Sequence, residues 1–262
     1  MILKKYLKKA NHKLPKILSI PLLGIWSLKK YIKIFKFIHD VFIFKKLAQK
    51  INTRFLPRIV DFYPILGEDT EDTGFDRHYI YHPAWAARVI ALNKPEFHVD
   101  ISSIINFSTQ LSAFIPVRFY DYRPANISLS NLQTGQADLL ALPFHENEIK
   151  SLSCMHVVEH IGLGRYGDPL DPEGDIKAIN ELKRVLAYGG DLLFVVPIGV
   201  PKLAFNAHRV YSYDQILSYF KELKLIEFVL IPRKEDGGML VNPEKEIIDN
   251  QDYGCGCFWF RK

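Results

Sequence analysis

The sequence predicts an α/β fold, a doubly wound, mostly parallel sheet, preceded by a basic helical extension. Short apolar runs alternate with amphipathic helical stretches along the second two thirds of the chain, the pattern of a parallel sheet covered on both faces. The first three candidate strands each run into an aspartate, at positions 100, 121 and 138. The charge is divided as sharply as the pattern. Residues 1–50 contain thirteen lysines and one acid and carry +12, so a total of +5 leaves −7 for the remaining residues. At 262 residues, 48% of them hydrophobic, the chain is long enough for one sizeable domain and an extension.

The extension comes first, over about residues 1–55. Its uncharged run "ILSIPLLGIWSL" (17–28) is broken by Pro21 and Gly24 and is shorter than the roughly twenty residues a spanning helix requires. No small-residue cleavage site follows it, which argues against a signal peptide. In "KKYIKIFKFIHDVFIFKKLAQK" (29–50), Lys29, Lys33, Lys36 and Asp40 recur at helical spacing opposite Tyr31, Ile34, Phe35, Ile38 and Phe42. This is an amphipathic helix with a broad apolar face. Its expected place is peripheral, on the anionic inner face of a membrane with the body in the cytoplasm. A helix packed on the body is the competing reading, and an acidic body with no recognisable module argues against nucleic acid as a partner.

Residues 56–94 form a connecting segment and a leading helix (about Ala84 to Leu92), and the body spans 95–262. A strand ends at Asp100, "STQLSAFIP" makes a helix, and "VRFYDYRP" holds a strand ending at Asp121. "QADLLALPF" places a third strand near Asp138 and "IKSLSCMHVV" a fourth. "DIKAINELKRVLAYGG" reads as a helix closed by Gly189-Gly190, and "DLLFVVP" (191–197) as the most strand-like run. Ser212 and Gln215 are spaced as a capping box, and "LIEFVLIP" and "CGCFWFRK" complete seven candidate strands.

In "CMHVVEHIGLGRYGDPLDPEGD" (154–175), His156, Glu159 and His160 would share a face if helical. H-x-x-E-H is also an inverted zinc-peptidase signature. That chemistry needs the cluster in mid-helix, whereas Gly162, Gly164 and Gly167 follow immediately and stop helices. The cluster belongs instead at a strand-to-helix turn. His160 and Glu159 are the candidate general bases, with His208 of "NAHRVYSYD" lining the same pocket. A divalent metal held by His156, Glu159, His160 and His208 is a less favoured reading. Asp168, Asp171 and Asp175 lie in an acidic loop and are weaker candidates for sugar-hydroxyl ligands. Cys255 and Cys257, two apart in a strand, point to one face; small buried residues are the simpler reading, a metal half-site the other.

The strand-end acids, the "ADLLALPFHEN" and "VVEHI" segments and the "RVLAYGGDLLFVVP" run resemble class I S-adenosylmethionine-dependent methyltransferases of the type-11 group over about residues 95–262. The "DYRP", histidine-cluster and "CGCFWF" segments look like a narrower domain-of-unknown-function family with the same core, often associated with surface-glycan gene clusters. The resemblance implies a seven-stranded Rossmann-like core and S-adenosylmethionine as cofactor. It implies cofactor contacts from Asp100, Ser102, Ser103, Asp121, Asp138, Leu139 and His156, and methyl transfer to a hydroxyl of a sugar or other polar small acceptor. The first loop, "DISSIINFS", lacks the family's glycines, and non-glycine residues are penalised where φ is positive. This departure leaves a second reading, a catalytically silent binding or scaffold protein on the same fold.

Overall fold

In the computed structural model, residues 20–51, 54–233 and 238–262 are described, with side chains from residue 30 onward. The chain divides into two compact units, 1–74 and 75–262. The expected arm thus reaches the description only from residue 20; the calls on residues 1–19 lie outside the described residues.

In the first unit, helix α1 (Ile20–Lys50) is longer than the pattern of 29–50 implied. Lys33 and Lys36 both pair with Asp69 (3.3 and 2.6 Å), and Phe37 meets the ring of Phe62 edge-on. The stripe opposite stays bare: Tyr31, Phe35, Ile38 and Phe42 are 60, 71, 52 and 65% exposed. Among the described residues no helix is long and apolar enough to cross a membrane.

The second unit is built on α2 (Arg77–Asn93), β1 (His98–Ile101), α3 (Ile105–Leu111), β2 (Val117–Asp121), β3 (Leu132–Gln136), β4 (Ile149–Met155), α4 (Gly174–Val185) and β5 (Leu186–Ile198). A hairpin of β6 (Lys202–Ala204) and β7 (His208–Val210) follows, then α5 (Tyr213–Tyr219), β8 (Lys224–Ile231), β9 (Leu240–Val241), α6 (Lys245–Asp249) and β10 (Gly254–Arg261). The main sheet has eight strands, in the order β3-β2-β1-β4-β5-β10-β8-β9. The first five pair in parallel, whereas β10 runs antiparallel to both β5 and β8. Six of these strands are those expected from the sequence; β3 lies upstream of the segment expected to form the third strand, and the two-residue β9 makes an eighth.

Alternation along the strands separates two cores. On one face Val99, Leu152, Phe194, Phe258 and Phe260 pack with Ile179 and Leu182 of α4 and with Phe220, which follows α5. On the other, Met155, Val195, Val229, Cys255 and Cys257 pack with Trp85 and Val89 of α2 and Phe107 of α3. The two cysteines do share a face and are fully buried, as their spacing implied.

Local sequence accounts for most element ends. Asp76 caps α2, accepting from the Tyr79 amide at 3.2 Å. Ser212 and Gln215 form the expected capping box on α5. Two boundaries differ from expectation. β3 ends at Gln136, two residues before Asp138, which sits instead in a tight turn. Gly189-Gly190 do not close α4, which passes straight into β5 at Leu186. These glycines carry the strand through a kink: Gly189 has φ +75, and a Cβ on Gly190 would lie 2.8 Å from the Ala187 carbonyl.

Candidate active site

The strand order reverses beside β1, between its neighbours β2 and β4, and ligands in such sheets bind beyond the carboxyl ends of the strands at this switch point. A cavity of about 170 Å³ lies there, lined by Ser102, Asp121, Asp138, Leu139, His156 and His160 among others. The glycine-poor loop after β1 solves its problem with a serine, for Ser102 takes the left-handed conformation at φ +54. Its amide donates to the Tyr120 carbonyl at 2.7 Å, which holds the turn.

Asp121 and Asp138 each commit one carboxylate oxygen to their own turn. Asp121 Oδ1 accepts from the Arg123 amide at 2.7 Å, and Asp138 Oδ1 from the Leu140 amide at 2.9 Å. Both residues line the cavity.

Two expected contacts are not in the cavity wall. Asp100 is fully buried, accepting from Ser108 and from Ser153 (2.7 Å), and burial pushes its carboxyl up to about 6. Ser103 is buried too, its Oγ accepting from the Met155 amide at 3.0 Å. Both shape the loop rather than present atoms to a ligand, because the end of β1 is covered by α3 and β4.

The histidine cluster follows β4. His156 also has positive φ, +58, with its amide donating to the Val195 carbonyl at 2.8 Å; a short 3-10 turn, Val158–His160, comes next. This is the strand-to-helix turn that the following glycines required. Glu159, expected as a base, is 1% exposed and binds His156 Nδ1 through Oε1 at 2.8 Å. That bond holds His156, and the same carboxylate oxygen lies 3.8 Å from His160 Nε2. His160 is better placed. Its Nδ1 lies 2.6 Å from the Ala207 carbonyl and 3.2 Å from the Arg165 guanidinium; with the ring proton on Nδ1 and donated to that carbonyl, Nε2 is the unprotonated nitrogen.

His160 also belongs to a second, outer cleft of about 510 Å³, with His78, His156, Glu159, Arg165, His208 and Tyr253 on its walls. His208 leans on the Tyr253 ring at 5.2 Å, and burial lowers its pKa. The inner cavity and outer cleft therefore meet at His156 and His160.

The carboxylates of the acidic loop after the cluster are engaged within the fold, and Asp168 also lines the inner cavity. Asp168 accepts from the amides of Gly162, Gly164 and Tyr166, Asp171 pairs with Lys177 at 2.6 Å, and Asp175 is buried against Tyr211 and Arg209. This loop brings Tyr166 over the inner cavity, where the Arg123 guanidinium lies 4.7 Å from the ring centroid. That clasp was not foreseen, although Arg123 belongs to the quoted "DYRP".

The proposed quartet of His156, Glu159, His160 and His208 does not converge as a metal-holding group. Among the described residues, the one group of three donors that does is His78, His156 and Cys255. Cys255 stands out in the sequence only as half of a possible metal half-site with Cys257, and His78 has no signal there beyond its residue type.

Residues 132–227 match the family described as Caenorhabditis protein of unknown function, DUF268, which spans β3 to β8. No curated protein matches the chain. Among solved structures, the chain is similar to a candidate methyltransferase from Bacillus halodurans, at 15% identity over 68% of this chain and 96% of that one, with a TM-score of 0.48. It is similar to the N-methyltransferase NodS from Bradyrhizobium japonicum in complex with S-adenosyl-L-homocysteine (17%, 69% and 85%, TM-score 0.46). A candidate sarcosine dimethylglycine methyltransferase from Galdieria sulphuraria gives 13%, 69% and 84%, with a TM-score of 0.49.

Proposed function

We propose that the chain is an S-adenosylmethionine-dependent methyltransferase acting on a hydroxyl of a polar small acceptor, a sugar being the leading class. The observation that carries this reading is the switch-point cavity with two half-engaged carboxylates, Asp121 and Asp138, opening at His160 into a polar outer cleft. The donor set fits the cofactor. Asp121 Oδ2 suits a ribose diol, Asp138 and the backbone of Leu139 suit an adenine edge, and the left-handed Ser102 lets backbone approach the amino-acid end. With that turn formed without glycine, the reason for a catalytically silent scaffold loses its force. A cavity of 170 Å³ is below the roughly 300–1,000 Å³ usual for ligands of this size, so the Arg123–Tyr166 clasp has to open for entry.

When bound, S-adenosylmethionine supplies a methyl group already activated on a sulfonium. The chain's own work is then in-line positioning and the handling of one proton. His160 Nε2 takes the proton of the acceptor hydroxyl as its oxygen attacks, while Nδ1–H stays on the Ala207 carbonyl and keeps the ring in that tautomer. Arg165, donating to the same carbonyl at 3.1 Å, steadies the arrangement.

Isothermal titration of the folded chain with S-adenosyl-L-homocysteine tests the reading. Saturable binding is expected, weakened roughly 10- to 100-fold by Asp121→Ala or Asp138→Ala, since each hydrogen bond to a charged group contributes about 1.5–3 kcal/mol. No heat at millimolar ligand, or unchanged affinity in both variants, overturns it.

We also infer peripheral attachment to an anionic membrane through the first unit. The bare stripe of Tyr31, Phe35, Ile38 and Phe42 on α1, in a segment rich in lysine, supports this. Each lysine near such a surface adds about 1 kcal/mol, screened by salt. Sedimentation with phosphatidylserine vesicles should be strong at low salt and weaker at high salt; equal recovery with neutral vesicles refutes it.

A further inference from the structure

We propose that His78, His156 and Cys255 form a binding site for one divalent transition-metal ion of the zinc class, placed at the inner end of the outer cleft. The three residues come from the first turn of α2, the end of β4 and the start of β10. One ligand atom of each lies within 4.8 Å of the others. Two imidazoles and a thiol are the borderline nitrogen and sulfur donors that zinc selects.

Two further observations point to a ligand. The side chain of His156 is 5% exposed, and its Nε2 has no oxygen or nitrogen partner, meeting only the Cys255 thiol. Burying a polar nitrogen unpaired costs about 1–3 kcal/mol, a cost that a bound ion removes. The other ring nitrogen is held by Glu159 at 2.8 Å, the carboxylate–histidine arrangement that fixes tautomer and direction in metal sites. The backbone is strained to the same end, because a histidine at φ +58 is kept where an extended residue would turn the ring elsewhere.

The remaining contacts give the site walls and an entrance. His78 stacks on His156 (5.6 Å between centroids, 6° between planes) and on Tyr253 (5.4 Å), while His82 closes the far side of His156 edge-on at 5.1 Å. Bonds of ~2.0–2.3 Å in a tetrahedral arrangement place donors roughly 3.3–3.8 Å apart, inside the 4.8 Å that bounds these three. Binding converts the Cys255 thiol to a thiolate, its proton leaving to solvent through the cleft. With three protein donors, the fourth tetrahedral position opens toward the cleft and takes water or an acceptor hydroxyl.

This site does not depend on cofactor binding, and its test reads the metal alone. Full-length reduced protein is stripped with chelator and titrated with Co²⁺ as a spectroscopic stand-in for Zn²⁺. The expected result is saturation at one equivalent, with a near-ultraviolet thiolate-to-cobalt band that Zn²⁺ abolishes by displacement. Cys255→Ser should lose the band and Cys257→Ser keep it. Glu159→Gln should weaken affinity roughly 10- to 100-fold. His78→Ala, at a half-buried position in the first turn of a helix, keeps the fold and should weaken binding at least as much. Absence of a saturable band, a band surviving Cys255→Ser, or affinities unmoved by His78→Ala overturns the proposal.

Discussion

Asp100 allows a measurement of how the loop after β1 is held. Its carboxyl is fully buried and rises from an ordinary 3.8 to about 6, chiefly through desolvation, with the hydroxyls of Ser103, Ser108 and Ser153 opposing and the charge of Asp121 reinforcing. In the unfolded chain this group releases its proton near 3.8, so between about pH 4 and 6 the folded state binds more protons. Stability from this group is therefore greatest below pH 4 and is lost as pH rises through about 6. A shift of about two units at 1.36 kcal/mol each amounts to ~3 kcal/mol. Asn at this position does not titrate. The stability of the wild type minus that of Asp100→Asn should thus fall by roughly 2–2.5 kcal/mol between pH 4 and 7. Urea unfolding of both proteins across that range measures it, since other titrating groups cancel in the difference. Ser108→Ala removes one opposing hydroxyl and should move the inflection to higher pH. A gap constant to within about 0.5 kcal/mol, or one that widens in favour of the wild type toward neutrality, would refute the burial argument.

Three other variants probe the site's supports. Gly162→Ala places a Cβ 2.0 Å from the Asp171 carbonyl at a residue with φ +78, and should cost at least ~2 kcal/mol in thermal unfolding while loosening the Tyr166 loop. Tyr211→Phe removes the buried hydrogen bond to Asp175 (2.9 Å) and should cost about 1.5–3 kcal/mol in urea unfolding. At position 102, glycine should keep S-adenosyl-L-homocysteine affinity and stability within ~1 kcal/mol, whereas β-branched valine at φ +54 should lose ~1–2 kcal/mol and weaken binding in the same titration.

The readable parts of this chain were those where chemistry is local. Strands β1, β2, β4, β5, β8 and β10 are apolar runs with clear ends, and the Ser212 capping box is written in four consecutive residues. The third strand was misplaced because the edge segment "LQTGQ" carries little apolar pattern, whereas the neighbouring "ADLL" looks more strand-like and forms a turn. Gly189-Gly190 were read as a helix stop because glycine after an amphipathic run usually is one; only the approach of the Ala187 and Ile149 carbonyls shows why glycine is needed inside β5.

The candidate site divides along the same line. Asp121 and Asp138 could be placed because a strand end fixes where a side chain emerges. Asp100 looked equivalent, but whether a strand-end carboxylate faces a cavity or three serines depends on the elements packed over it. Cys255 and Cys257 show the limit most clearly. Their spacing reported correctly that both lie on one face, and packing was the sound inference from that alone. What stands opposite that face, at the end where β10 begins, is His78 from α2 and His156 from β4. That neighbourhood follows from the antiparallel insertion of β10 between β5 and β8, a pairing across long sequence separations that leaves no periodicity behind. Residue spacing specifies the face of an element, and chemistry at a site depends on which faces the topology sets against one another.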